Sequence, residues 1–288
     1  MSRDLILQAV ISGLLMGLIY ALVAVGLTLI FGLMEIVNFA HGEFLMLAMF
    51  TAFWFWALGG LDPMLSLPFV AILLAVAGIL AHFGIIRRLL KAPMLAQVCG
   101  TFGLGVALRA GAQFLWTPDF RTITNPFIAG RVQIGPVFIG QPQLISGGIC
   151  LLSFAALWWF VTRTETGLGL QATAQDRQAA AVMGIPTERM FALGWAIGLS
   201  CVGIAGTMLS TFYYIFPDVG TNFALLAFVA VALGGFGSIL GSLLAGVSIG
   251  VVESLGGLLL DPSYKTLTVF GLYLAVVVFR PQGLFGRF

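Results

Sequence analysis

Seven polar or ionisable side chains interrupt otherwise apolar stretches of this sequence: Glu35, Asn38, His41, Glu43, His82, Arg109 and Glu253. Such groups are costly in hydrocarbon, which makes each a functional candidate by default. Four of them fall between Glu35 and Glu43. On a helix, at about 100° per residue, Glu35, Asn38, His41 and Gly42 would share an arc of about 120°, with Glu43 roughly 140° from Asn38. His41 and Glu43 would then diverge, which argues against a His-x-Glu metal site or an intramembrane enzyme built on His41, Glu43 and His82. Asn38 and His41 can line a polar path, or they can hydrogen-bond across a packed helix interface; the sequence leaves the two readings level. His82 is expected to snorkel or pack at the end of its run. Arg109 is expected to snorkel outward, or to pair with Glu253 or a partner subunit.

These groups must be positioned by elements suited to lipid. The chain has 288 residues, of which 8% are charged and 60% hydrophobic, and its mean hydropathy is +1.09. An ordinary soluble domain carries about 25% charged residues. A soluble chain of this length leaves roughly a quarter of its unfolded surface in water and could not hide so much apolar area. Composition thus excludes a soluble enzyme, a disordered chain and a nucleic-acid binder. With about 20 residues per crossing there is room for eight to ten spans. The predicted fold class is all-α, a polytopic integral membrane protein with broken or re-entrant segments, forming a single transmembrane domain over 1–288. Cys99, Cys150 and Cys201 form no CxxC pair and read as free thiols packed as small hydrophobes. The first apolar run is far longer than a signal-peptide core and shows no Ala-x-Ala site, so it reads as a retained helix.

Apolar runs at about 5–33, 35–58, 64–86, 94–116, 141–161, 190–212, 222–258 and 265–279 are expected to be helices, the segments that satisfy their own backbone in lipid. Arg87, Arg88, Lys91, Arg163, Arg177, Arg189, Arg280 and Arg287 account for eight of the 13 basic residues. They lie in the loop after the third run, in the loop 162–189 and in the tail, which the positive-inside rule makes cytoplasmic. The loops 59–63, 117–140, 213–221 and 259–265 hold only Arg121, Arg131 and Lys265 and are then external.

The run 222–258 must therefore enter and leave on one side. Gly234, Gly235, Gly237 and Ser238 sit in its middle, where each glycine weakens a helix by about 1 kcal/mol. This predicts a hairpin of two short or broken helices. Non-helical backbone at membrane depth needs protein or a water-filled cavity around it. A second break is expected near Met34 to Glu43. A weak echo, Ala21 to Leu27 against Ala227 to Leu233, leads toward each break. Paired interruptions of this kind point to the substrate path of a transporter, here Asn38, His41, Gly42 and Glu43 with Gly234, Gly235, Gly237 and Ser238. Small-xxx-small spacings at Gly13/Gly17, Gly194/Gly198, Gly237/Gly241 and Gly246/Gly250 allow close helix packing.

The loop 162–189 is too long for a turn. Gln171 to Met183 is rich in Ala and Gln, good helix formers, and Gly184 with Pro186 signals a stop. A short helix outside the bilayer, poor in charge, suits docking of a partner protein. Neither Lys91 nor Lys265 follows a glycine, so the chain has no Gly-x-x-x-x-Gly-Lys phosphate loop. No relay of acids suited to an ion pump is evident. Energy for transport would come from another chain. The competing reading is an ion-coupled secondary transporter of small polar solutes; a passive channel is a third.

Five segments resemble the permease subunit of the high-affinity branched-chain amino-acid ABC transporters (LivH-type). They are Tyr20 to Leu27, Asn38 to Glu43 (NFAHGE), Gly167 to Ile185, Leu233 to Gly241 (LGGFGSILG) and Arg280 to Gly286. The resemblance implies a multi-pass subunit of the bacterial inner membrane, in contact with lipid, that binds no cofactor of its own. It implies a second permease subunit, two ATPase subunits that bind ATP and magnesium, and an extracytoplasmic binding protein. The substrate would be a branched-chain amino acid or a related solute such as an amide, urea, or an aromatic or carboxylic acid. It also implies a coupling helix over Ala172 to Gly184 that docks on the ATPase, with Ala172, Gln175, Asp176, Ala179, Ala180, Gly184 and Ile185 as the contact set. The sequence departs from the usual pattern at Gln175-Asp176-Arg177, where a charged residue commonly precedes the Asp.

Overall fold

A proline-free stretch of 32 residues forms α1 (Arg3–Met34). The computed structural model describes residues 3–124 and 126–285; Gly286 and Arg287 of the tail lie outside the described residues. After α1 come α2 (His41–Gly59), α3 (Pro63–Leu89) and α4 (Met94–Trp116). A short antiparallel hairpin, β1 (Arg131–Ile134) and β2 (Val137–Gly140), pairs Arg131 with Gly140 and Val132 with Ile139. Then follow α5 (Gln141–Arg163), α6 (Glu165–Gln175), α7 (Arg177–Val182), α8 (Thr187–Leu209), α9 (Val219–Gly234), α10 (Ile239–Leu259) and α11 (Lys265–Phe279). Among the described residues eight helices are long and apolar enough to cross a membrane, the last counted with its lead-in turn as Pro262–Phe279, and α9 is a shorter apolar helix. The hairpin was not foreseen in an all-α reading; it is confined to the loop between α4 and α5.

Local chemistry sets the boundaries. Asp62 accepts from the Met64 N–H at 2.9 Å and caps α3, which opens on Pro63. Gly60 closes α2 at φ +62°. The last turns of α3 widen into a π turn at His82–Ile86. Asp261 accepts from the Ser263 N–H at 2.8 Å to start the turn before α11, and that bond holds its carboxyl below the usual carboxylate range.

Contacts between loops establish sidedness. Gln8 exchanges two hydrogen bonds with the Phe138 backbone, at 2.5 and 3.0 Å, so the first turns of α1 lie on the hairpin side. Asp62 accepts from the Phe127 N–H, and Arg121 bridges to Ile215, which adds the loops 59–63 and 213–221 to that face. On the opposite face Arg87 meets Glu188 at 2.5 Å, joining the Arg-rich loops. For the loops these contacts join, the grouping is the one the positive charges predict. It orients α1 from outside to inside and α9 likewise, with the break after α9 on the Arg-rich side.

The core lies around α1 and α8, which are buried along most of their length, whereas α4 and α11 bury few of their residues fully. Glycines let the central helices close. Gly13 and Gly17 of α1 face Gly250 and Gly246 of α10, and a methyl on Gly17 would lie 2.8 Å from the Val247 Cα. Gly26 and Gly198 do the same between α1 and α8. Cys150 and Cys201 are buried, as expected; Cys99 is exposed, and all three are free.

Candidate functional site

The first break is Glu35 to Ala40, not a helix, so the shared arc computed for a continuous helix does not apply. α1 stops because Glu35 adopts φ +56°, a left-handed conformation that ends a helix and strains a non-glycine residue. The chain then doubles back along α1. His41 Nε2 donates to the Val23 carbonyl at 2.9 Å. Val23 precedes Met34 by about 16 Å of helix rise, a distance six extended residues can span at about 20 Å. So α2 begins deep in the bundle, with Asn38 and His41 wholly buried. Asn38 folds into an Asx turn, its Oδ1 accepting from the Ala40 N–H at 3.1 Å. The carbonyl can only accept, which fixes the His41 proton on Nε2 in the neutral ring and leaves Nδ1 with a free lone pair. Asn38 Nδ2, His41 Nδ1 and Glu43 Oε2 are buried without a hydrogen-bond partner among the described residues.

Arg109 does not pair with Glu253. Its Nε donates to Glu43 Oε1 at 3.1 Å, its Nη2 bonds the same oxygen, and Nη1 lies 3.7 Å from Asp218 Oδ1. Glu43 is almost completely buried, Arg109 is partly exposed and Asp218 more so, so the three form a charged ladder descending from the external loop. Glu253 instead accepts from the Tyr20 hydroxyl at 2.7 Å and meets Lys265 at 3.3 Å. His82 does not snorkel; it is fully buried in the π turn, 3.9 Å from Glu188 and edge-on to Phe83. Divergence of His41 and Glu43 holds, for they reach different partners. Gly42 lies against Gly220, where it permits close contact of α2 and α9.

The second break falls where the glycines predict, at 235–238. Gly235 and Gly237 take φ +93° and +82°, open to glycine alone at little cost. Gly234 abuts Gly241 across the hairpin, and Ser238 caps α10 by accepting from the Gly241 N–H at 3.1 Å. The tail completes this break. Leu284 and Phe285 donate their N–H groups to the Leu233 and Gly234 carbonyls at 2.8 and 3.2 Å, satisfying acceptors a helix end leaves orphaned.

The loop 162–189 holds two helices rather than one. Asp176 leaves the helical region at φ −153°, ends α6, and caps α7 by accepting from Gln178 and Ala179 N–H at 2.8 and 3.0 Å. Gly184 at φ +85° stops α7, as its position predicts. Gln175, Asp176, Ala179 and Gly184 are exposed; Ala172 and Ile185 are half-buried and Ala180 is buried against the protein, so Ala180 presents no surface for docking. Val182 and Met183 are the most exposed large apolar side chains of this loop, at 86% and 80%. In sequence they look like any apolar pair; their place directly before the Gly184 stop is the signal that marks them. Arg177 lies over the Phe191 ring at 4.8 Å and ties α7 to α8. Around Gly32, Gln171, Ala174 and Gly237 a cavity of about 70 Å³ separates α6 from the second break.

Two interrupted helices held within an apolar bundle, with a helical loop on the Arg-rich face beside one of them, define a multi-pass membrane transport protein. The sequence model of the family described as branched-chain amino acid transport system / permease component matches residues 9–278, and the chain belongs to that family. It is 30% identical to the high-affinity branched-chain amino acid transport system permease protein BraD of Pseudomonas aeruginosa, over 98% of this chain and 96% of that one. It is 29% identical to LivH of Escherichia coli over the same shares. The autoinducer 2 import system permease protein LsrC of Salmonella paratyphi B is 28% identical over 74% of this chain and 63% of its own length. The chain is a transport subunit of the inner membrane, not an enzyme, and a permease of this family works with partner subunits.

Proposed function

We propose that this chain forms the translocation pathway of an ATP-driven importer for branched-chain amino acids or related small solutes, together with a second permease subunit. Two ATPase subunits bind ATP and magnesium and dock on α6 and α7, and an extracytoplasmic binding protein delivers the substrate to the external face. The observation that carries this reading is the adjacency of α6 and Gly237 around one cavity. A push on the loop reaches the second break there without crossing the bundle. Asn38, His41, Glu43 and the glycine break line the path, and Gln175, Ala179, Gly184, Val182 and Met183 form the docking face. The Gly42–Gly220 contact holds the inner end of α2 in place. The whole described chain acts as one permease domain, with 162–189 as its coupling loop.

The test is uptake in vesicles that hold ATP but carry no ion gradient, using the complex assembled with its binding protein and radiolabelled L-leucine. Accumulation that stops when ATP is withheld is the expected result. Uptake that needs only a sodium or proton gradient overturns it.

A further inference from the structure

We propose that the Glu43–Arg109 pair is a binding point for the charged backbone of an α-amino acid, Glu43 taking the ammonium and Arg109 the carboxylate as the substrate passes. The inference rests on the reading of this chain as an amino-acid importer permease and names the residues that recognise the substrate class.

Glu43 lies in the first turn of α2 just after the first break, and Arg109 reaches it from α4, where Gly105 packs against Ala40. Only one Glu43 oxygen is used; Oε2 is buried and unpartnered among the described residues. Asn38 Nδ2, a donor, and His41 Nδ1, an acceptor, are orphaned in the same six-residue stretch. A buried polar atom left without a partner is destabilising, and these three lie within one stretch that includes the ion pair's carboxylate. Glu43 Oε2 accepts, as an ammonium requires, and the guanidinium donates, as a carboxylate requires; His41 is turned toward the Val23 carbonyl and takes no part in this contact. Asp218 beside Arg109 is an external acid to which the guanidinium can swing when it leaves Glu43.

A purely structural ion pair makes the opposite prediction. Replacing a buried pair by apolar side chains is often neutral or stabilising. The discriminating variant is therefore Glu43→Leu with Arg109→Leu, assembled with its partner subunits in proteoliposomes. The expected result is a fall of about tenfold or more in L-leucine taken up per ATP hydrolysed, in a complex that assembles and melts as wild type does. Uptake per ATP within about twofold of wild type overturns the proposal. Should the double variant fail to assemble, Glu43→Gln keeps the shape and the bond to Arg109 but not the charge, and the same two outcomes apply. The substrate class is tested on the complex without binding protein, by thermal shift with L-leucine, leucinamide or 4-methyl-2-oxopentanoate. A shift with L-leucine alone, lost in Glu43→Gln, is expected. An equal shift with either singly charged analogue, or none with L-leucine at saturation, overturns the assignment. If wild type shows no ATP-driven uptake, the importer reading itself falls and this inference with it.

Discussion

Gly42 and Gly220 meet backbone to backbone, each so close that a methyl group built on one would strike the carbonyl of the other. The contact draws the first turn of α2 onto the first turn of α9. It brings Glu43, the next residue after Gly42, to the same place as Asp218, two residues before Gly220, with Arg109 between them. Gly42→Ala or Gly220→Ala forces the helices apart, at a cost of about 1–3 kcal/mol. Because either methyl opens the same gap, the double variant should cost less than the sum of the singles. Denaturation of the purified subunit in detergent measures all three; additivity would show that the glycines do not share one contact.

The C-terminal tail is part of the second break. Gly283 adopts φ +82°, and a side chain there would lie 2.5 Å from the Gly235 amide nitrogen. Gly283→Ala should therefore destabilise the hairpin by about 1–3 kcal/mol, through strain and overlap together. Removal of Leu284 and Phe285 with all that follows would strand the Leu233 and Gly234 carbonyls that they satisfy. Protease sensitivity between Gly234 and Ser238 is the readout, and a tail-deleted protein as resistant as wild type would refute the clasp.

The helices and their sidedness could be read from composition and from the placement of arginines, because lipid demands long apolar segments and membrane insertion sorts positive charge. The second break was equally legible, since Gly234, Gly235 and Gly237 weaken a helix by themselves. The first break was located but its shape was not. NFAHGE carries no proline, and only the tertiary bond from His41 to Val23 shows that the chain runs back up α1. Partners were the least legible. Arg109 and Glu43 lie far apart in sequence, and nothing in a single sequence says which of several acids a buried arginine meets. Asp176 read as a residue inside a helix, whereas its side chain competes for the backbone and divides the loop helix in two.

Docking of the coupling loop should depend on Val182 and Met183, whose exposure means that a polar substitution leaves the fold intact. Val182→Asp with Met183→Asp is expected to abolish co-purification of the ATPase while the permease still inserts and melts normally. Gly184→Arg should do the same, but φ +85° adds strain of its own. Gly184→Asn, which tolerates that conformation, is the control and should retain docking. Loss of docking in Gly184→Asn but not in the double aspartate variant would place the contact elsewhere on the loop.

His41 and Asn38 decide between pathway and packing. His41→Leu removes the donor to the Val23 carbonyl and the free Nδ1 lone pair together; His41→Gln keeps a donor of similar reach but not the ring acceptor. If the residue only holds α2 against α1, His41→Gln restores both membrane level and transport, and His41→Leu lowers the two in step. If Nδ1 serves the path, His41→Gln restores the membrane level while transport stays about tenfold down. Asn38→Leu should behave like the second case, because its Oδ1 only closes a local turn whereas its Nδ2 is left free. Quantifying the protein in isolated membranes beside ATP-driven uptake separates the outcomes, and parallel losses in Asn38→Leu and His41→Leu with full rescue by His41→Gln would remove both residues from the pathway.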